Sequence, residues 1–134
     1  MKNPLLITVC MIAAITSCKK ENVVKNNGLI GKWQLVATLD RFNGGSGWVN
    51  VPAQGAHTLE YKTDGSFIKL EVAGGINAIC TGEYFSLPDN MIRVNSPCNP
   101  PDEMIKISAL SPTELILERQ GIEDVISLKY KAVK

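Results

Sequence analysis

The stretch His57–Val72, HTLEYKTDGSFIKLEV, decides the fold. It holds two short alternating runs about one turn signal. On the near side, His57, Leu59 and Tyr61 alternate with Thr58, Glu60 and Lys62. On the far side, Ile68, Leu70 and Val72 alternate with Lys69 and Glu71. Period-two patterning marks a strand with one wet and one dry face. Asp64-Gly65 between them supplies the positive φ angles that a tight hairpin turn needs. The stretch is therefore read as an antiparallel hairpin, with Ile68 and Leu70 on the apolar face.

The same grammar extends in both directions. Upstream, Gly31–Asp40 reads as a strand with Trp33, Leu35, Ala37 and Leu39 on one face, followed by a glycine-rich loop from Phe42 to Gly55. Downstream, Gly74-Gly75, Pro88-Asp89-Asn90, the proline-bearing Ser96–Glu103, Ser111-Pro112-Thr113 and Gln120–Glu123 punctuate further strands. These strands are 78–87, 91–95, 104–110, 114–118 and 124–133. Eight sequential strands joined by hairpins predict an all-β, eight-stranded, antiparallel up-and-down barrel, since closure removes exposed edges. An open two-sheet sandwich is the alternative. An eight-stranded barrel has an interior that side chains fill or that holds one small ligand.

Composition narrows the function. The 134 residues carry 14 basic and 13 acidic side chains, a net charge of +1. Such a balance does not suit a nucleic-acid binder, which needs a basic surface to meet phosphate. One histidine, His57, excludes any site built on two imidazoles within the chain. No Gly-x-Ser-x-Gly is present, and Gly44-Gly45-Ser46-Gly47 lacks the lysine and helix of a phosphate loop. Asp102-Glu103 and Glu123-Asp124 are adjacent pairs, which point to opposite sides of an extended chain. The expectation is a protein that is not an enzyme and that needs no metal or cofactor.

The N-terminus reads as an address. Lys2 precedes an apolar run from Leu5 to Ala14, too short for a spanning helix. Ile15-Thr16-Ser17-Cys18 follows, and it resembles the lipobox of bacterial lipoproteins. That resemblance implies cleavage after residue 17 and acylation of Cys18. Residues 1–17 are then a signal peptide, and residues 18–28 are a lipidated cysteine with a flexible tether. Cleavage removes Lys2 and no acid, so 14 basic residues become 13 against 13 acidic ones. Lys19–Gly28 spans at most roughly 35 Å when extended. By the same analogy, Lys19 after Cys18 points to the outer membrane, on either its periplasmic or its outward face.

Two cysteines remain, because Cys10 leaves with the signal. In an oxidising compartment Cys80 and Cys98 are expected to pair. A redox pair or metal site is the alternative, but the chain has no Cys-x-x-Cys.

Gly31-Lys32-Trp33, opening the first strand of an eight-stranded meander, resembles the lipocalins. Leu29–Leu35, Thr63–Phe67, Gly82-Glu83-Tyr84 and Ile107–Ser111 together resemble a lipocalin-like domain of bacterial lipoproteins, over residues 29–134. The resemblance implies that Gly31 and Trp33 close one end of the barrel. In the lipocalins a late-strand arginine packs on that tryptophan; here Arg119, Lys129 and Lys131 are the candidates. It also implies that the first long loop lies over the open mouth, where Phe42 and Trp48 would form a lid; the plainer reading folds Trp48 back onto the rim. The expected inward set is Trp33, Leu35, Leu59, Tyr61, Ile68, Leu70, Phe85, Ile107, Leu128 and Tyr130. Within a cavity, Trp48, His57, Leu59, Tyr61, Ile68, Leu70, Phe85 and Tyr130 would meet a small hydrophobic or amphipathic ligand. A filled core, serving a protein-interaction or inhibitor module of the envelope, is the alternative.

Overall fold

The computed structural model describes residues 27–41, 47–53, 57–98, 101–120 and 125–134. The expected signal peptide, Cys18, the expected tether up to residue 26, and Phe42 lie outside the described residues, whereas Asn27 and Gly28, expected in the tether, belong to a 3-10 turn. That 3-10 turn, Asn27–Leu29, leads into β1 (Gly31–Asp40). There follow β2 (Val49–Asn50), β3 (Thr58–Tyr61), β4 (Ser66–Ala73), β5 (Ile76–Leu87), β6 (Met91–Asn95), β7 (Glu103–Leu110), β8 (Glu114–Gln120) and β9 (Val125–Ala132). Every pairing is antiparallel, and each strand from β3 to β9 pairs with the next.

The barrel closes at β1. One edge of β1 pairs with β9, from Trp33↔Ala132 to Asp40↔Ile126. The other edge pairs with β3 through Gly31↔Tyr61 to Gln34↔Thr58. Beyond β3 that edge continues onto β2, through Ala37↔Asn50 and Thr38↔Val49. β2 is a short segment of the first long loop that lies beside β1. The eight longer strands form the closed barrel anticipated from the sequence.

Two bulges adjust the phase of the walls. In β1 the register shifts between Leu35 and Ala37, so Leu35 pairs with Tyr130 while Thr38 pairs with Leu128. Cross-strand partners share a face. Thr38 therefore turns inward with Leu128, and Ala37 and Leu39 turn outward with Lys129 and Ser127. The expectation of one apolar face along the whole of β1 fails at this bulge. A second shift, between Ile107 and Ala109 in β7, puts Leu110 inside opposite Leu115.

The closed end is packed solid. Leu29, Ile92 and Leu115 are fully buried there, and Trp33 is 2% exposed. The Trp33 indole Nε1–H donates to the Leu29 carbonyl at 2.9 Å, so the ring seals the end with its polar hydrogen satisfied. Gly31 holds a φ of +139°, a conformation that side-chain-bearing residues rarely adopt. None of the three expected cations packs on Trp33. Ala132, opposite Trp33, bonds to Thr113, and Arg119 lies about six residues further along β8, roughly 20 Å away. Lys129 lies on Trp48 instead, and Lys131 is exposed.

Gly82 marks the tightest approach in the wall. A Cβ there would sit 2.2 Å from the Asn95 carbonyl oxygen and 2.7 Å from the Phe67 ring. The backbone oxygen is held in the β5–β6 ladder and cannot swing away. Gly82→Ala is expected to cost about 2 kcal/mol of stability, read as a lower urea midpoint; an unchanged midpoint would show that the two strands separate easily.

Candidate functional site

The β3–β4 hairpin sets the character of the interior. A two-residue turn at Asp64-Gly65 would pair Tyr61 with Ile68. The structure uses a longer turn: Lys62 N–H donates to Ser66 O at 2.9 Å, and Tyr61 pairs with Phe67. Asp64 fixes this turn by accepting from the Ser66 N–H at 2.9 Å and the Ser66 hydroxyl at 2.6 Å. These bonds also hold the Asp64 carboxyl below its usual pKa. Gly65, at φ +86°, completes the turn. A shift of one residue turns every later side chain to the opposite face. Phe67, Lys69 and Glu71 therefore face inward, and Ile68 and Leu70 face outward.

Above the closed end lies a cavity of about 320 Å³. Leu35, Leu59, Ile105, Leu117 and Leu128 give it apolar walls, with Phe67, Tyr61 and Tyr130 among them. The strand directions put the end of β1, the start of β3, the β4–β5 hairpin, the end of β6, the start of β7, the end of β8 and the start of β9 at its mouth. Besides the two tyrosines, five histidine, lysine, arginine and glutamate side chains line it: His57, Lys69, Glu71, Glu103 and Arg119.

The charges meet in pairs. Lys69 Nζ contacts Glu71 Oε1, and His57 Nδ1 lies 3.6 Å from the same oxygen. The Lys69 hydrogen bond holds the Glu71 carboxyl below its ordinary range. On β7 and β8, across the barrel, Arg119 Nε donates to Glu103 Oε1. Burial pulls the Arg119 pKa down, but the bond to Glu103 and its charge more than offset this, so the guanidinium stays charged.

The disulfide shapes the rim. Cys80 and Cys98 are bonded, with Cα atoms 6.1 Å apart. Cys80 lies on the inner face of β5, so the bond draws the start of the β6–β7 connection against the mouth. Ser96 supports it: its hydroxyl lies 2.7 Å from Cys80 Sγ and 3.2 Å from the Thr81 carbonyl, and accepts the Cys98 N–H at 3.2 Å.

Of the residues anticipated as ligand contacts, His57, Leu59, Tyr61 and Tyr130 line the cavity. Ile68 and Leu70 do not, because of the hairpin register. Phe85 does not either. It alternates with Tyr84, which packs on the core, and its ring lies on the outer wall 4.6 Å beneath the Arg93 guanidinium. Trp48 also lies on the outer wall, with Lys129 Nζ 4.4 Å from its ring centre. The part of that loop that reaches the cavity is Val51, whose N–H donates to Val36 O at 2.9 Å. Lys69, Glu71, Glu103 and Arg119 were missed, because charged residues in a half-polar strand pattern read as solvated. Glu103 opposite Val94, and Arg119 in phase with Leu115 and Leu117, were the available signals.

Among the described residues no cluster of histidine, cysteine and carboxylate could hold a metal ion. A solved structure of a bovine odorant binding protein, a deswapped triple mutant, superposes with a TM-score of 0.51 over 79% of this chain and 74% of that one, at 14% identity. At that identity the likeness is one of fold: this chain forms a lipocalin-like barrel. No protein-family model matches the chain, and no curated protein matches it.

Burial raises the pKa of all three tyrosines, Tyr130 to about 12 and Tyr61 higher still. A raised folded-state pKa means that the contribution to stability is complete below the ordinary value of 10.0 and is lost as pH climbs through the folded value. At pH 10 the folded chain should show far less tyrosinate absorbance than the chain in denaturant. Stability should begin to fall only above that pH. Equal absorbance in both states would place the phenols in water.

Proposed function

We propose that this protein is a lipid-anchored envelope lipoprotein whose barrel holds one small hydrophobic or amphipathic molecule. The cavity carries this reading. It is of the size and make-up of small-molecule sites, with apolar walls and a few convergent polar groups. A core meant only for stability would be filled, as the closed end is. The fold supports the same conclusion, since the superposed neighbour is an odorant binding protein by name.

The anchor is proposed from the sequence. Thr16-Ser17-Cys18 after a short apolar run fits a lipobox, and no described helix is long and apolar enough to cross a membrane. Acylation with two or three chains gives stable attachment where one does not. The outer membrane remains the proposed site.

A protein-interaction module is the second reading. Ile76 and Ile79, 72% and 68% exposed on the β4–β5 hairpin beside the disulfide, favour it. Native mass spectrometry of the full chain separates the two. A carrier should show a co-purified small molecule that leaves on delipidation and returns with a lipid extract. A bare mass throughout, with no shift from a panel of hydrophobic ligands, would sink the carrier reading. Cys18→Ser should abolish incorporation of labelled fatty acid and release the protein from the membrane fraction; continued labelling would refute the anchor.

A further inference from the structure

Two phenols in the cavity have nothing to bond to. Tyr61, from β3, and Tyr130, from β9, are 1% and 5% exposed, and both line the cavity. No hydrogen bond joins either hydroxyl to a described residue, and neither oxygen is among the fully buried unpartnered atoms, so both open onto the cavity. The other two polar-tipped rings of the core have protein partners: Tyr84 donates to the Lys62 carbonyl at 2.7 Å, and Trp33 donates to Leu29. A hydroxyl that opens onto a largely apolar cavity and meets no protein group gains from an acceptor placed there. Phenylalanine would give the same rings without that capacity. The hydroxyls therefore suit a partner that comes from outside the chain. A phenol donates a hydrogen bond better than it accepts one, so the matching group is an acceptor oxygen.

Charge decides which acceptor. Lys69 is paired with Glu71, and Arg119 with Glu103. Each cation facing the cavity is already matched by a carboxylate. A bare anion would leave water, pass two carboxylates and find no uncompensated cation, an expensive burial. A neutral oxygen faces none of these obstacles.

Resting on the cavity reading above, we propose that the occupant is an uncharged amphiphile, whose carbonyl or ester oxygen accepts hydrogen bonds from Tyr61 and Tyr130 while its apolar remainder lies along Leu35, Leu59, Leu117 and Leu128. Burial keeps both phenols protonated, and so able to donate, across the physiological pH range.

The test is displacement of an apolar naphthylamine fluorophore from the full chain at neutral pH. Three competitors of equal chain length are compared: a methyl ketone, the alkane and the carboxylate. The ketone should compete about tenfold better than either of the others, the gain of a hydrogen bond made out of water. In the double variant Tyr61→Phe, Tyr130→Phe, its advantage over the alkane, read as the ratio of the two competitors against whatever affinity the fluorophore has there, should shrink to about twofold or less. A wild-type far-ultraviolet circular dichroism spectrum and a cooperative urea transition show that the variant is folded. Equal competition by ketone and alkane, a preference for the carboxylate, or a ketone preference that survives in the variant would each overturn the proposal while leaving the cavity reading intact. Failure of the fluorophore and of every competitor to bind would overturn the cavity reading, and this proposal with it.

Discussion

β1 is hydrogen-bonded along both edges, and the interior exists because of that. Its ten residues pair with β9 on one side and with β3 and then β2 on the other. A meander without this closure would be a curved sheet, with two free edges and an apolar face open to water. Closure turns that face into an enclosed volume. The sealed end follows from the same strand. Gly31 takes a backbone angle that brings the chain in from the 3-10 turn, and Trp33 two residues later fills the end and bonds to Leu29. The cavity lies on the far side of that plug.

What fills the space is a matter of register. The barrel and its strand order were legible in the sequence, because alternation and turn residues report which segments are strands and where they reverse; the sealed end was expected only from the resemblance carried by Gly31 and Trp33. The cavity lining was only partly legible. Asp64-Gly65 announces a turn, but not whether two residues or more lie between the last paired positions. The Asp64 carboxylate decides this by holding Ser66 in a turn that pairs Lys62 with Ser66 and Tyr61 with Phe67. The size of Phe67 agrees, since its ring packs within 6.5 Å of Tyr61 in the core. Ile68 and Leu70 then face outward, although their alternation with Lys69 and Glu71 reads the other way. The bulge in β1 hid Thr38 by the same logic, because bulges leave no reliable mark on apolar patterning.

The first long loop illustrates a different limit. Its glycines and aromatics suggest a cover for the mouth, yet Trp48 lies against Lys129 outside and Val51 reaches in. Composition shows that a segment is not a regular strand. It does not show which of its apolar residues folds inward, since that depends on where β2 attaches to β1. The disulfide was more accessible. Few cysteines and an expected oxidising setting left one pairing, and the intervening hairpin brings the two ends together.

The register that turned Lys69 and Glu71 inward also determines what kind of cavity this is. Two charged residues on one strand cannot face an apolar space singly; burying one alone would leave it uncompensated. Here Lys69 meets Glu71 two residues along the same strand face, and across the neighbouring walls Arg119 meets Glu103 in the same way. Each pair is self-contained and partly wet, so each is tolerated without a ligand, and neither contributes much to holding the barrel together. The ion pairs therefore give the mouth polarity without net charge, and the wall behind them keeps its apolar surface. Among the described residues, the phenols of Tyr61 and Tyr130 line that wall without a hydrogen bond to the protein. On the proposed reading, in a barrel whose charges neutralise one another, selectivity would fall to the hydroxyls, which would distinguish ligands by the placement of one oxygen on an apolar body and not by charge.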